Sequence, residues 1–224
     1  MKYAIALILG FVLGALLFVL GLAYNPFIAD RGLSPLSVTD AEVITLNYSV
    51  VPAESIAYTN DGESMQAPNP QRVQQLWEAP IRQTDAMVAL LHDAMGREAG
   101  FGVKFTSNSE STHLFSGKAI RDSAWYIYLP ERGSLFMYQT ENFWPFLQAV
   151  AFPAWRSSAN SWRGSWLGDL TAGPGALGTA IAAGSSGSLD GLVMDAVESL
   201  SVKAFSTDTG FIAAEGRLFI ELPD

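Results

Sequence analysis

Two histidines, His92 and His113, are the side chains of this 224-residue chain that titrate near neutral pH in an ordinary environment. Set beside a carboxylate such as Glu141, Asp169 or Glu198, His92 would form a general acid–base couple, one group giving a proton and one taking it. His92, Asp93, Glu110 and His113 fit no usual zinc-ligand spacing, so no metal site is expected. His92-Asp93 running towards Gly96 reads more simply as the end of a surface hairpin. The sequence carries no nucleophile elbow, phosphate-binding loop, dinucleotide fingerprint or His-Glu-x-x-His motif. Motifs therefore assign no catalytic residue and no cofactor, and His92, Glu141, Asp169 and Glu198 stand as acid–base candidates on residue type alone.

Aromatic density is the stronger signal. Five of the six tryptophans, Trp125, Trp144, Trp155, Trp162 and Trp166, fall within 42 residues, and Trp155-Arg156 and Trp162-Arg163 repeat an aromatic–base couple. Tryptophan offers large contact area at low entropic cost, and arginine offers a directional fork for carboxylate or phosphate. Two readings stay open. The rings plug one end of a folded domain while the arginines pair with acidic neighbours. Alternatively Trp144, Trp155, Arg156, Trp162, Arg163 and Trp166 form a surface that recognises a ligand or a protein.

The elements that must position these residues begin with an oily segment. Residues 3–24, YAIALILGFVLGALLFVLGLAY, hold no charge, and as a helix they would span roughly 33 Å, the thickness of a bilayer core. A cleaved signal is the rival reading, but the apolar run exceeds a signal core and no clear small-residue cleavage site follows. The expected organisation is a membrane anchor over 1–24, an irregular tether over 25–40 and one extracytoplasmic domain over 41–224. Lys2 before the span, against Arg31 beside Asp30 after it, favours a cytoplasmic N-terminus and a periplasmic domain at a bacterial inner membrane. Ala6, Gly10 and Gly14 lie four apart on one helical face, where a second membrane helix could approach closely.

Beyond residue 41 the period is two. In AEVITLNYSV, Ile44, Leu46, Tyr48 and Val50 share one face, the mark of a half-buried strand. IAYTN follows, with Asp61-Gly62 as a turn; 64–71 reads as a proline-bearing loop, and Val73, Leu76 and Trp77 as a short helical face ended by Pro80. MVALLHDAMG, from Met87, is expected as a strand turning at Gly96 into the alternating FGVKFTS. SAWYIYLP and SLFMYQT form a hairpin about Glu131-Arg132-Gly133. A short helix is expected after Pro145 and closed by Pro153, and the segment from Trp155 to Leu170 is expected as a polar loop. Short strands and tight turns over 175–191, then VESLSVKAF and GRLFIELP, complete a mainly β domain. Seven to ten strands with one or two short helices suggest an antiparallel barrel, since closure hides the edges. A two-sheet sandwich is the alternative.

The glycine-rich stretch Gly173-Pro174-Gly175, Gly178-Thr179 and Gly184-Ser185-Ser186-Gly187-Ser188-Leu189-Asp190-Gly191 resembles one hairpin of the allene oxide cyclase and dirigent barrels. Ser185 stands in place of a glycine and Leu189 in place of an aromatic residue, and the likeness covers about 20 of the 224 residues. It implies an eight-stranded barrel, an apolar cavity and a dimer or trimer, and it transfers no catalytic residue. The chain as a whole resembles small membrane-anchored proteins of proteobacteria.

Thirteen Lys and Arg against 22 Asp and Glu give a net charge of −9, and the part beyond Lys2 is one unit more acidic. Such a surface repels nucleic acid and anionic lipid. The absence of cysteine removes disulfides and thiolate metal sites. Three functions remain. The first is a membrane-anchored accessory or scaffold subunit, with a membrane-protein partner or a second copy of itself. The second is a binding protein for an apolar or amphipathic small molecule in a barrel cavity. The third is a cyclase or isomerase, which requires an ionisable group lining that cavity beside a polar partner.

Overall fold

A computed structural model describes residues 2–23, 41–60, 64–66 and 84–223. The expected tether, the Asp61-Gly62 turn and the helical face at Val73, Leu76 and Trp77 lie outside the described residues.

Among the described residues, eleven strands follow an N-terminal helix, α1 (Lys2–Ala23). They are β1 (Val43–Ser49), β2 (Ala57–Asn60), β3 (Ser64–Gln66), β4 (Thr84–His92), β5 (Glu98–Asn108) and β6 (Ile120–Leu129), then β7 (Gly133–Asn142), β8 (Ser161–Asp169), β9 (Ala180–Gly184), β10 (Val193–Ser206) and β11 (Gly210–Glu221). Eight of them run in the antiparallel order β1-β11-β10-β9-β7-β6-β5-β4, and β4 returns to β1 through Asn47 and His92. The sheet is thereby a closed barrel, with β2 and β3 attached outside β4. Closure leaves few unpaired strand edges for a mainly antiparallel chain to expose.

Period-two patterning builds the wall. Ile44, Leu46 and Tyr48 from β1, Leu135 and Met137 from β7, and Leu218 and Ile220 from β11 all point inward and are buried. Trp125 and Ile127 of β6 join them in one core that fills the lower barrel. Strand β10 is long enough to serve two neighbours along one edge. Its first residues pair with β9 and its later ones with β8. Between these partners, residues 170–173 thread between β7 and β10. The Asn142 N–H donates to the Leu170 carbonyl at 2.8 Å, and the Leu170 N–H donates to the Glu198 carbonyl at 2.8 Å.

After β7 the chain forms α2 (Trp144–Phe146), one π turn over Leu147–Ala151, and α3 (Phe152–Arg156). These pack on the upper parts of β8, β10 and β11 around Phe146, Val150, Leu200 and Val202, a second core at the barrel's mouth.

Three expectations need correction. The Trp155–Leu170 segment is not one polar loop, because Ser161–Asp169 is strand β8, hydrogen-bonded along β10. Its polar look arises because one face is open to solvent, while Trp162 and Trp166 turn the other onto the second core. Pro153 does not close the helix. It sits in the first turn of α3, where a missing N–H costs nothing, and the helix runs on to Arg156. Ser64–Gln66, expected within a loop, is β3, and the rest of that loop lies outside the described residues.

Along α1, residues 7–21 are exposed without exception, among them Leu7, Phe11, Leu13, Leu17 and Phe18. Among the described residues no helix is long and apolar enough to cross a membrane. Apart from Tyr3, the described side chains of α1 are those of residues 7–21, about 22 Å of helix rise. Gly10 and Gly14 face open space, and the side chain of Ala6 lies outside the described residues.

Candidate active site

Where the lower core ends, the barrel wall turns polar. The inward residues one or two steps nearer the mouth are Lys104 on β5, Ser123 on β6, Gln139 and Glu141 on β7, and Glu198 on β10; Tyr48 reaches them from β1. Glu141, Glu198 and Gln139 are fully buried, and Lys104 is only 8% exposed. Two glycines make room for the large rings among them. A Cβ at Gly216 would run into the Tyr48 ring, and one at Gly102 would lie 2.8 Å from Trp125.

The two carboxylates share one ammonium. Lys104 Nζ lies 2.5 Å from Glu141 Oε1 and 2.6 Å from Glu198 Oε1. Glu198 is otherwise saturated. Tyr48 Oη also donates to Oε1, while Trp125 Nε1, at 2.9 Å, and Gln139 Nε2 donate to Oε2. Thr171 braces the group from the threaded segment, accepting from the Glu198 N–H and donating to Gln139 Oε1, each at 2.7 Å. Glu141 is satisfied on one side only. Its Oε1 accepts from Lys104, from Ser123 Oγ at 2.9 Å and from Gln139 Nε2 at 2.8 Å, whereas the buried Oε2 has no partner.

That asymmetry sets the charges. Burial pushes both carboxyls up, but Lys104 and the donors of Tyr48 and Trp125 outweigh it for Glu198, which is held below the usual glutamate range. For Glu141 burial prevails over Lys104, and the neighbouring Glu198 adds to it, so its pKa is raised. One ammonium favours ionisation of one of two close carboxylates, and the one with donors on both oxygens is the one favoured. Burial alone would lower Lys104, yet Glu141 and Glu198 together raise it and keep it charged. Burial first, then Glu198, lifts the Tyr48 phenol well above its ordinary value, so it stays a donor. Where Glu141 takes up a proton, Oε2 is the position open to it, since Oε1 already accepts three donors.

Above this group lies a cavity of about 120 Å³. Its floor carries Tyr48, Lys104, Glu141 and Glu198, and its walls are largely apolar, from Val50, Met87, Phe143, Leu170, Leu200 and Phe211. Asp85 and Arg121 line it as well, 3.5 Å apart and partly exposed.

Of the acid–base candidates, Glu141 and Glu198 meet here, and the other two do not. His92 ends β4 beside Asn47, towards the far end of the barrel. Asp169 ends β8 opposite Ser199, its carboxyl raised by partial desolvation. The aromatic–base segment is dispersed. Trp162 and Trp166 pack on the second core, Trp144 stacks edge-on against Phe152, Trp155 is 70% exposed, and Arg156 and Arg163 are exposed. His113 sits in the β5–β6 loop against Phe115. Among the described residues no group of three or more His, Asp or Glu is arranged to hold a metal ion. Lys104, Tyr48, Gln139 and the Asp85–Arg121 pair were not singled out by the sequence.

No protein-family profile matches the chain, and no curated protein matches it. Among solved structures it is similar to a nonspecific heme-binding cyclase that catalyses a (4 + 2) cycloaddition during neoabyssomicin biosynthesis. The identity is 10% and the TM-score 0.38, over 83% of this chain and 69% of that one. So distant a likeness carries no argument about chemistry.

Proposed function

We propose that the barrel is an isomerase or cyclase that binds a small, mostly apolar molecule in its cavity and uses Glu141 as proton donor. The observation that carries this reading is Glu141 Oε2, fully buried, without a partner, on a carboxyl that lines the cavity. A buried polar atom without a partner costs free energy, and a ligand that accepts its proton removes the cost. Burial also gives the donor its strength, because a hydrogen bond in a dry, low-dielectric site stabilises developing negative charge better than one in water. Glu198, with every acceptor position engaged, orients Lys104, Tyr48 and Trp125 rather than handling protons. Asp85, held by one long contact to Arg121, is the remaining lining carboxylate and the group suited to accept a proton.

A minimal probe of this activity is the conversion of 3-cyclohexenone to 2-cyclohexenone. A C–H bond α to the carbonyl breaks, its proton leaves to a base, and a C–H bond forms at the γ carbon. Hydrogen bonding to the carbonyl oxygen stabilises the dienol between them. The wild-type chain is expected to accelerate this conversion over buffer, read as growth of the conjugated-enone absorbance. Glu141→Gln is expected to lower the rate by about 10²-fold or more. No acceleration by the wild type would overturn the enzyme reading.

We further infer that α1 anchors the barrel to a membrane, with the N-terminus cytoplasmic and the barrel outside. Its support is a helix apolar on every side and uncovered along residues 7–21. The accessory-subunit reading has less behind it, since Trp162 and Trp166 lie against the protein's own second core.

A further inference from the structure

The charged side chains around the cavity say what kind of molecule it accepts. Apart from Glu141, four charged groups line it, and each faces an opposite charge. Lys104 lies against Glu198 at 2.6 Å. Arg121 pairs with Asp85 at 3.5 Å and lies over the Phe143 ring, its guanidinium carbon 5.2 Å from the centroid. Arg121 is also the cross-strand partner of Glu141 on the β6–β7 ladder, so both side chains issue from the same face of the wall. Its guanidinium nevertheless turns to Asp85. The lining therefore holds two cations and three carboxyls, with Lys104 shared between Glu198 and Glu141 and only Glu141 keeping an oxygen without a partner.

Each ligand charge has a different consequence. An anion would have to draw Lys104 or Arg121 away from a carboxylate, leaving that carboxylate buried or half-buried beside it. A cation would need Glu141 ionised next to Glu198, two buried carboxylates against one shared ammonium. An uncharged ligand with an acceptor oxygen needs neither change, and a small turn of the buried Glu141 carboxyl towards the cavity lets it supply what Oε2 lacks. Thr106, buried in the same wall, also lines the cavity.

Size narrows the class further. A cavity of about 120 Å³ is somewhat smaller than the engineered apolar cavity of about 150 Å³ that takes up benzene. It suits one ring or an equally short apolar segment.

We propose that the site selects uncharged carbonyl compounds, seating a ring-sized apolar head in the cavity with its carbonyl oxygen on Glu141 Oε2 and excluding carboxylates and ammonium ions. This rests on the reading of Glu141 as a donor, but it concerns binding and stands or falls without turnover.

The test uses the full chain in phosphatidylcholine nanodiscs and three probes of one shape: 2-cyclohexenone, cyclohexanecarboxylate and cyclohexylammonium. Titration of wild type against Glu141→Leu removes the contribution of partition into the bilayer. The ketone is expected to bind at least tenfold more tightly than either ion, and the Leu variant to lose about tenfold for the ketone alone. Because Glu141→Leu leaves Lys104, Ser123 and Gln139 with one acceptor fewer, a second measurement uses the wild type only. The carbonyl stretch of bound 2-cyclohexenone is expected at lower frequency than in hexane, as a hydrogen-bonded ketone shows. Tightest binding of the carboxylate, tightest binding of the ammonium ion, or no binding of the ketone would each overturn the proposal. Ketone binding without conversion of 3-cyclohexenone would uphold it and reject the enzyme reading instead.

Discussion

At the scale of single residues, Glu141 and Glu198 are two buried carboxyls of the same kind that differ in how many donors reach them. Glu198 takes four across both oxygens, and Glu141 takes three on one oxygen. Their effects on stability run in opposite directions. The native state holds the Glu141 proton more tightly than the unfolded chain does, so stability falls as pH rises from the ordinary glutamate value, about 4.3, through the raised native one. Glu198 is depressed, so its contribution is present above the unfolded value and is lost as pH falls through the native one. Together they place a stability maximum near the ordinary glutamate range, with a decline on each side. Denaturant midpoints across pH are expected to show the alkaline decline in the wild type and to lose it in Glu141→Gln. A decline that persists unchanged would mean that Glu141 is ionised throughout. Glu198→Ala should behave differently, because it leaves Lys104, Trp125 and Gln139 without their shared acceptor. A loss of about 3–5 kcal/mol in denaturant unfolding is expected, the cost of breaking a buried ion pair from one side.

At the scale of elements, side-chain alternation made much of this site legible, although residue type alone had to be set aside to see it. Tyr48 lies on the same parity as Ile44 and Leu46, Glu141 on that of Leu135 and Met137, and Glu198 on that of Ala196, Leu200 and Val202. Each polar residue stands where its strand otherwise points apolar groups inward. Strand β5 conceals the lysine because it inverts the usual rule. Phe101 and Phe105 face outward, 39% and 45% exposed, while Gly102, Lys104 and Thr106 share the inner parity. Preferring the apolar side as the buried one hides Lys104. Strand β8 was missed for a related reason: its glycines, Gly164 and Gly168, suggest a loop, but they provide the space over which the Trp162 and Trp166 rings lie. The same close approach governs β11. Gly216 sits under the Tyr48 ring, so Gly216→Ala must push the phenol aside from Glu198. Overpacking of this kind is expected to cost about 1–3 kcal/mol. Tyr48 also meets Trp125 edge-on, with ring centroids 4.9 Å apart, so the near-ultraviolet circular dichroism should change with it. An unaltered spectrum would show that the ring keeps its place without the glycine.

At the scale of the whole molecule, the closed barrel and the uncovered helix pose separate physical problems. The barrel buries its own apolar face: the lower core fills the interior, and α2 and α3 cover the upper extension of β10 and β11. Helix α1 is exposed along residues 7–21, and lipid is the medium in which a helix apolar on every side lowers its free energy. The pattern that marks α1 is the longest uncharged run of the chain and is legible at a glance; how it sits against a bilayer is set by lipid, which the sequence reports only through the few charges at its ends. The full chain is expected to remain with the membrane pellet after a high-salt wash and to enter solution only with detergent. A basic residue at the centre of the span should weaken insertion by about 2.5–3.5 kcal/mol, so Leu13→Arg is expected to shift much of the protein to the soluble fraction. Orientation can be read independently, because the chain has no cysteine. A single Met95→Cys in the β4–β5 turn, 81% exposed, offers one thiol on the barrel. A membrane-impermeant maleimide added to intact cells with a permeable outer envelope should label it without lysis. Labelling only after lysis would put the barrel in the cytoplasm, and recovery of intact wild-type chain in the soluble fraction would remove the anchor altogether.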